Sequence, residues 1–297
     1  MANPPSTVAD GVSERSLTSL RAPVRRVLRW PGTYLVALVA VLAMLGSCAG
    51  ERPTLGSLPP SVPSTSATTT EAETTTTTEA VVEQRILGPD DLLGWIATPS
   101  GTPEVYEEPS TDAIPIEIGA TTAVGAPTTF AIVGDASPES EPAVPGWYEV
   151  ALPIRPNGDT AWVPTESVEV TKTPFRVFID LDARTLRVED DGEGRFTAEV
   201  AVGTEENPTP RNGTFVTELI ENIEPDGAYG PYAFGLGLHS DTLTEFNGGP
   251  GQVGVHGTNQ PDLIGSAVSH GCVRLSNDDI EALVDVGLPL GVPVFVT

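Results

Sequence analysis

Cysteine, histidine and cationic side chains are the scarce residues of this chain. Its 297 residues include two Cys and three His, and 15 Lys and Arg stand against 41 Asp and Glu, a formal net charge of −26. Residues 1–47 hold five Arg and two acids, so the remainder carries ten basic and 39 acidic residues, a net of −29. That excess argues against nucleic acid or an anionic lipid surface as partner, since both need cationic patches, and solubility is sufficient reason for it. Aromatics are only 6% of the residues, whereas Pro and Gly number 29 and 30. Such a balance favours turn-rich β structure over helix bundles, and the length suggests about two domains.

No apolar run reaches the roughly twenty residues that span a bilayer as a helix. The longest, Tyr34 to Leu45, follows a basic flank of Arg15, Arg21, Arg25, Arg26 and Arg29. Residues 1–47 thus have the features of a signal peptide. Leu45-Gly46-Ser47-Cys48 resembles a bacterial lipobox, which implies that Cys48 becomes a lipidated N-terminus. The alternative is an uncleaved membrane anchor. Either places the rest of the chain outside the cytoplasm, in the cell envelope, tethered to the outer face of the cytoplasmic membrane. Residues 48–84 then form a flexible linker, Thr-, Ser- and Glu-rich from Ser64 to Ala80. It buries too little apolar surface to offset its ordering entropy, and its reach is on the order of 30 Å.

Residues 85–172 read as a small β module. Phe130 to Val133, Trp147 to Leu152 and Thr160 to Val163 are rich in β-branched and aromatic residues, as strands are. Pro156-Asn157-Gly158-Asp159 between the last two predicts a hairpin with a type I′ turn. The segment resembles bacterial SH3-like domains, which implies a small barrel that binds cell-wall polymer or acts as a spacer. Trp147, Tyr148 and Trp162 either line a groove or pack inside it.

Residues 173–297 carry the chemistry. Phe175 to Leu181, Thr185 to Glu189 and Phe196 to Val202 read as short strands, with a polar turn at Asp190-Asp191-Gly192-Glu193-Gly194. Gly227 to Gly251 reads as a long loop over the site, with Tyr232, Phe234 and Phe246 as candidate contacts. Ser276 and Asp279 make a capping-box-like start for a helix with Ile280, Leu283 and Val284 on its apolar face, stopped by Gly287. Val292 to Val296 reads as a final strand.

All three histidines, His239, His256 and His270, fall just before Cys272. A thiol with an imidazole nearby is the minimum for thiolate catalysis. Gly271 permits a tight backbone beside Cys272, and the N–H groups of both residues are candidates to face a developing oxyanion. Absent a second nearby Cys, and with two histidines in this pattern, no metal site is expected, and no cofactor.

His256-Gly257-Thr258 followed by Ser269-His270-Gly271-Cys272-Val273-Arg274 resembles the signature of the L,D-transpeptidases, the YkuD-type catalytic domain. The resemblance extends to Thr209-Pro210-Arg211-Asn212-Gly213-Thr214-Phe215, with one extra residue before Gly213, and to Gly291-Val292-Pro293-Val294. It implies a mostly β, β-sandwich-like domain with one helix after the nucleophile. Cys272 would be the nucleophile and His256 the general base and acid, with His270, Ser269, Gly271, Arg274 and Gly257 supporting the site or binding substrate. Arg274 would hold a substrate carboxylate or pair structurally. The implied activity is peptidoglycan 3→3 cross-linking through a Cys thioester with release of D-Ala from a stem peptide, and carbapenem-type β-lactams would acylate Cys272. An L,D-carboxypeptidase, a protein-to-wall anchoring enzyme and a non-catalytic wall-binding lipoprotein are the alternatives.

Overall fold

A computed structural model describes residues 84–297 apart from Glu139, Ile223 and Asn247. The export segment, Cys48 and all of the linker but Gln84 lie outside the described residues. Among the described residues no helix is long and apolar enough to cross a membrane.

The first part contains β1 (Trp95–Pro99), β2 (Phe130–Ala131), β3 (Trp147–Ala151), β4 (Thr160–Pro164) and β5 (Val168–Lys172). β1 lies between β2 and β5, antiparallel to both, and β3 and β4 form a hairpin. Trp147, Tyr148 and Trp162 are all half-buried, and the Trp147 ring meets Tyr106 edge-on at 5.6 Å. The expected type I′ turn does not form. Residues 152–159 connect β3 to β4, and only Gly158 among Pro156 to Asp159 has a positive φ. Asn157 is buried and uses its amide on a distant strand instead. Its Nδ2 donates to the His239 carbonyl at 2.7 Å, and its Oδ1 accepts from the His239 N–H at 2.8 Å.

The second part runs β6 (Phe175–Asp180), β7 (Thr185–Asp190), β8 (Glu193–Glu199), β9 (Val202–Gly203), β10 (Gly213–Glu221), β11 (Tyr232–His239), β12 (Gln252–His256), β13 (Ala267–Ser269), β14 (Val273–Arg274), α1 (Asn277–Val286) and β15 (Pro293–Val296). Eight of these strands follow the order β14-β12-β11-β10-β15-β6-β7-β8. Period-two burial explains β6 and β7, whose Val177, Ile179, Leu186 and Val188 all face the core. Asp191 and Gly192, both at positive φ, make the tight β7–β8 turn. β10 pairs with β15 through Gly213 to Phe215 and with β11 through Val216 to Glu221. One long strand therefore serves two half-sheets, and Val177, Leu186, Phe234, Val255 and Val273 from both halves share one apolar cluster. The chain is thus mostly β, with one α-helix among the described residues.

The long loop expected from Gly227 to Gly251 is interrupted by β11. Phe234, Leu236 and Leu238 are buried in the core, while a side chain at the intervening Gly235 would run into Glu218 and one at Gly237 would press tightly on Phe215. Glycine weakens strand propensity, and here it answers to close packing. The α1 N-terminus is capped by Ser276 Oγ, which accepts from the Asp279 N–H at 3.1 Å, and Gly287 ends it at φ 79°. Phe215 and Phe295 of the large sheet pack with Leu92, Phe130 and Val150 in a second cluster, so the first part lies against the back of that sheet.

Candidate active site

β12 and β14 run parallel at the sheet edge and bring the two motifs together, with His256 opposite Arg274 and Val255 opposite Val273. His256 is 3% exposed. Its Nδ1 lies 2.6 Å from the Gly257 carbonyl, a bond that needs the proton on Nδ1 and leaves Nε2 as the acceptor of the neutral ring. Asn277, the first residue of α1, fixes this corner by accepting from the Thr258 N–H through Oδ1 at 2.8 Å. The Tyr229 ring lies 4.7 Å from the imidazole. Burial pushes the His256 pKa from 6.5 down to about 4, opposed by the Gly257 bond and assisted by the Arg274 charge. At neutral pH the imidazole is therefore uncharged.

Cys272 sits on a turn that its neighbours hold in place. Gly271 has φ 119°, where a side chain would be strained. Ser269, almost fully buried, donates through Oγ to the Cys272 carbonyl at 2.5 Å and accepts from the Gly271 N–H at 3.1 Å. The Gly271 N–H is thus already engaged and does not face the substrate position expected of it. The Cys272 N–H has no hydrogen-bond partner among the described residues. Burial raises the thiol pKa above its ordinary value, while a backbone bond from Gly254 and the Arg274 charge pull it down. The resting pair is consequently thiol and neutral imidazole, an arrangement suited to general-base activation during attack.

A cavity of about 230 Å³ is lined by His256, Ser269, His270, Gly271, Cys272 and Arg274, with Tyr229 and Phe246 among its walls. Gly257 acts from behind, through its carbonyl. His270 is exposed and its ring lies 5.4 Å from that of Phe246. The Arg274 guanidinium takes no hydrogen bond or ion pair among the described residues, and its Nε is buried without a partner. A second cavity of about 330 Å³ also reaches His256 and Cys272, and its lining includes Glu218, Gly235, Gln252 and Gly254. Of the loop aromatics, Phe246 faces the site, whereas Phe234 packs in the core and Tyr232 packs against it. His239 lies in neither cavity. Among the described residues no cluster of three or more His, Cys, Asp or Glu is arranged to hold a metal ion.

Residues 174–296 match the family model of the L,D-transpeptidase catalytic domain. The chain is 30% identical over 161 residues to a Bacillus subtilis protein named as an L,D-transpeptidase, YqjB, covering 50% of this chain and 81% of that one. The chain belongs to the L,D-transpeptidase family. It is also 36% identical over 124 residues to YkuD of Bacillus licheniformis, named likewise, across 42% of this chain and 66% of that relative. The chain thus spans just under two thirds of that relative's length. A solved L,D-transpeptidase from Mycobacterium tuberculosis is 16% identical, covering 67% of this chain and 95% of the other, with a TM-score of 0.38. Within this L,D-transpeptidase domain, sequence reasoning missed Asn277, Gly254, Gln252 and Tyr229. Each reaches the site through strand register, a loop or the start of α1, and no local pattern marks them.

Proposed function

We propose that the protein is a peptidoglycan L,D-transpeptidase that forms 3→3 cross-links through a thioester on Cys272. One observation carries this reading: Cys272 and a neutral His256, its Nδ1 committed to the Gly257 carbonyl, face one cavity. Cys272 Sγ attacks the carbonyl between the diamino residue at the third stem position and terminal D-Ala, and His256 Nε2 takes the thiol proton. The imidazolium returns that proton to the amine of departing D-Ala. An amine from a second stem then attacks the thioester, His256 accepts its proton, and the thiolate leaves and is reprotonated. The free Cys272 N–H is the candidate donor to the oxyanion, and the unpaired Arg274 guanidinium is suited to a substrate carboxylate. Carbapenem-type β-lactams enter the same reaction by acylating Cys272.

The same reading assigns residues 85–172 to an SH3-like module that spaces the catalytic domain or binds wall polymer, and residues 173–297 to the catalytic domain. It makes Cys48 the lipid attachment point or residues 1–47 an anchor, on the outer face of the cytoplasmic membrane. The test is incubation with a disaccharide-tetrapeptide, followed by mass spectrometry. A cross-linked dimer with loss of D-Ala is expected. Tripeptide without dimer favours the carboxypeptidase or a protein acceptor, and no reaction overturns the enzyme reading.

A further inference from the structure

Glu218 of β10 is only 6% exposed, yet its carboxylate takes no hydrogen bond or ion pair among the described residues. It lines the second cavity together with His256 and Cys272, and no Lys or Arg lines that cavity. A carboxylate that lines a groove without a counter-charge attracts cations to it, so a cationic occupant suits the site.

Strand register relates this carboxylate to the nucleophile. Glu218 is opposite Gly235, and Gly235 is opposite Gly254; residues directly opposed on neighbouring strands share a face. Val255 pairs with Val273 in parallel register, which puts Gly254 beside Cys272, and both line the second cavity. One row across the sheet therefore runs Glu218, Gly235, Gly254, Cys272, with glycines at both middle places. A Cβ at Gly235 would come within 2.7 Å of Glu218 Oε1, so the carboxylate lies over that glycine. Adjacent strands are about 4.8 Å apart, which separates carboxylate and thiol by roughly 5–10 Å, over two glycines with the Gln252 amide beside the first of them.

We propose that Glu218 binds the side-chain ammonium of the donor residue whose carbonyl Cys272 attacks, and so selects stem peptides with a free diamino side chain at that position. This rests on the transpeptidase reading. In an extended diamino residue the carbonyl carbon and the ammonium lie roughly 7 Å apart, within the span of the groove. An ammonium–carboxylate bond is charge-assisted and directional. Arg274 lines only the first cavity, so the cationic and anionic ends of a donor are read by different residues. Gly235 and Gly254 serve the same end by leaving room for the methylene chain.

Protection of Cys272 from alkylation by iodoacetamide tests this without turnover. The probes are the tripeptide L-Ala-γ-D-Glu-L-Lys and its side-chain N-acetyl form, and the readout is the mass of the Cys272 peptide. Wild-type protein should be protected by the free amine at about tenfold lower concentration than by the acetylated form. In Glu218→Gln, isosteric but uncharged, the preference should fall to within about twofold, with protection measured against each variant's own alkylation in the absence of peptide; Glu218→Asp should retain part of it. No preference in wild type, or an undiminished preference in Glu218→Gln, overturns the proposal. Failure of the transpeptidase reading shows separately, in the disaccharide-tetrapeptide assay.

Discussion

Acylation of Cys272 should keep its rate well into acid, because burial holds the His256 pKa near 4 instead of 6.5. At pH 5.5 a group with that lowered pKa is about 97% neutral, whereas an ordinary imidazole is about 9% neutral, roughly a tenfold difference in available base. The thiol pKa is raised by burial, so the rate should not climb with thiolate fraction across neutral pH. The assay is the second-order rate of Cys272 acylation by a carbapenem, followed by intact mass from about pH 4 to 8. A rate constant within about twofold from pH 5.5 to 7.5, falling only near pH 4, is expected. Arg274→Gln removes a charge that lowers the His256 pKa, so its acid limb should move to higher pH. A wild-type rate that drops about tenfold per unit below pH 6.5, or rises about tenfold per unit above it, would refute the neutral-pair account.

Three further outcomes follow from named contacts. Ser269→Ala removes the brace on the Cys272 carbonyl and the Gly271 N–H; it should cost about 1–3 kcal/mol in denaturant unfolding and slow carbapenem acylation at least about tenfold. Asn157→Ala leaves the buried N–H and carbonyl of His239 without their side-chain partner and should cost about 2–4 kcal/mol, read as a lower urea midpoint with an unchanged slope. His239 and His256 both have folded pKa values near 4 against 6.5, each chiefly through burial. The unfolded chain binds these protons first, so stability is full above about pH 6.5 and is lost as pH falls towards 4, by up to about 3 kcal/mol per histidine. Equilibrium unfolding at pH 7 and pH 4.5 checks this, and equal stability at both would contradict it.

Much of the catalytic domain was legible because its signals are local. The alternation of Val177 and Ile179, a polar turn within Asp190 to Gly194, and the Ser276 and Gly287 caps each depend on a few adjacent residues. The spacing of His256, Ser269 and Cys272 was equally readable, and the parallel pairing of β12 with β14 brings them into one cavity. What escaped depends on contacts distant in sequence. β11 was hidden by glycines whose purpose is close approach to Glu218 and Phe215. Asn157 reads as a turn residue until its amide is seen spanning 82 positions to His239. The Gly271 N–H was a reasonable oxyanion donor until Ser269 Oγ was found to occupy it. Glu218 carried no motif at all, and only strand register aligns it with Cys272.

The most direct test of the central claim is the intact mass of the protein mixed with the disaccharide-tetrapeptide and sampled within a few turnovers. An adduct equal to the donor less D-Ala is expected, mapped by peptide digestion to Cys272, absent from Cys272→Ala, and discharged when an amine acceptor is added. Release of D-Ala by Cys272→Ala, or an adduct on any other residue, would contradict it.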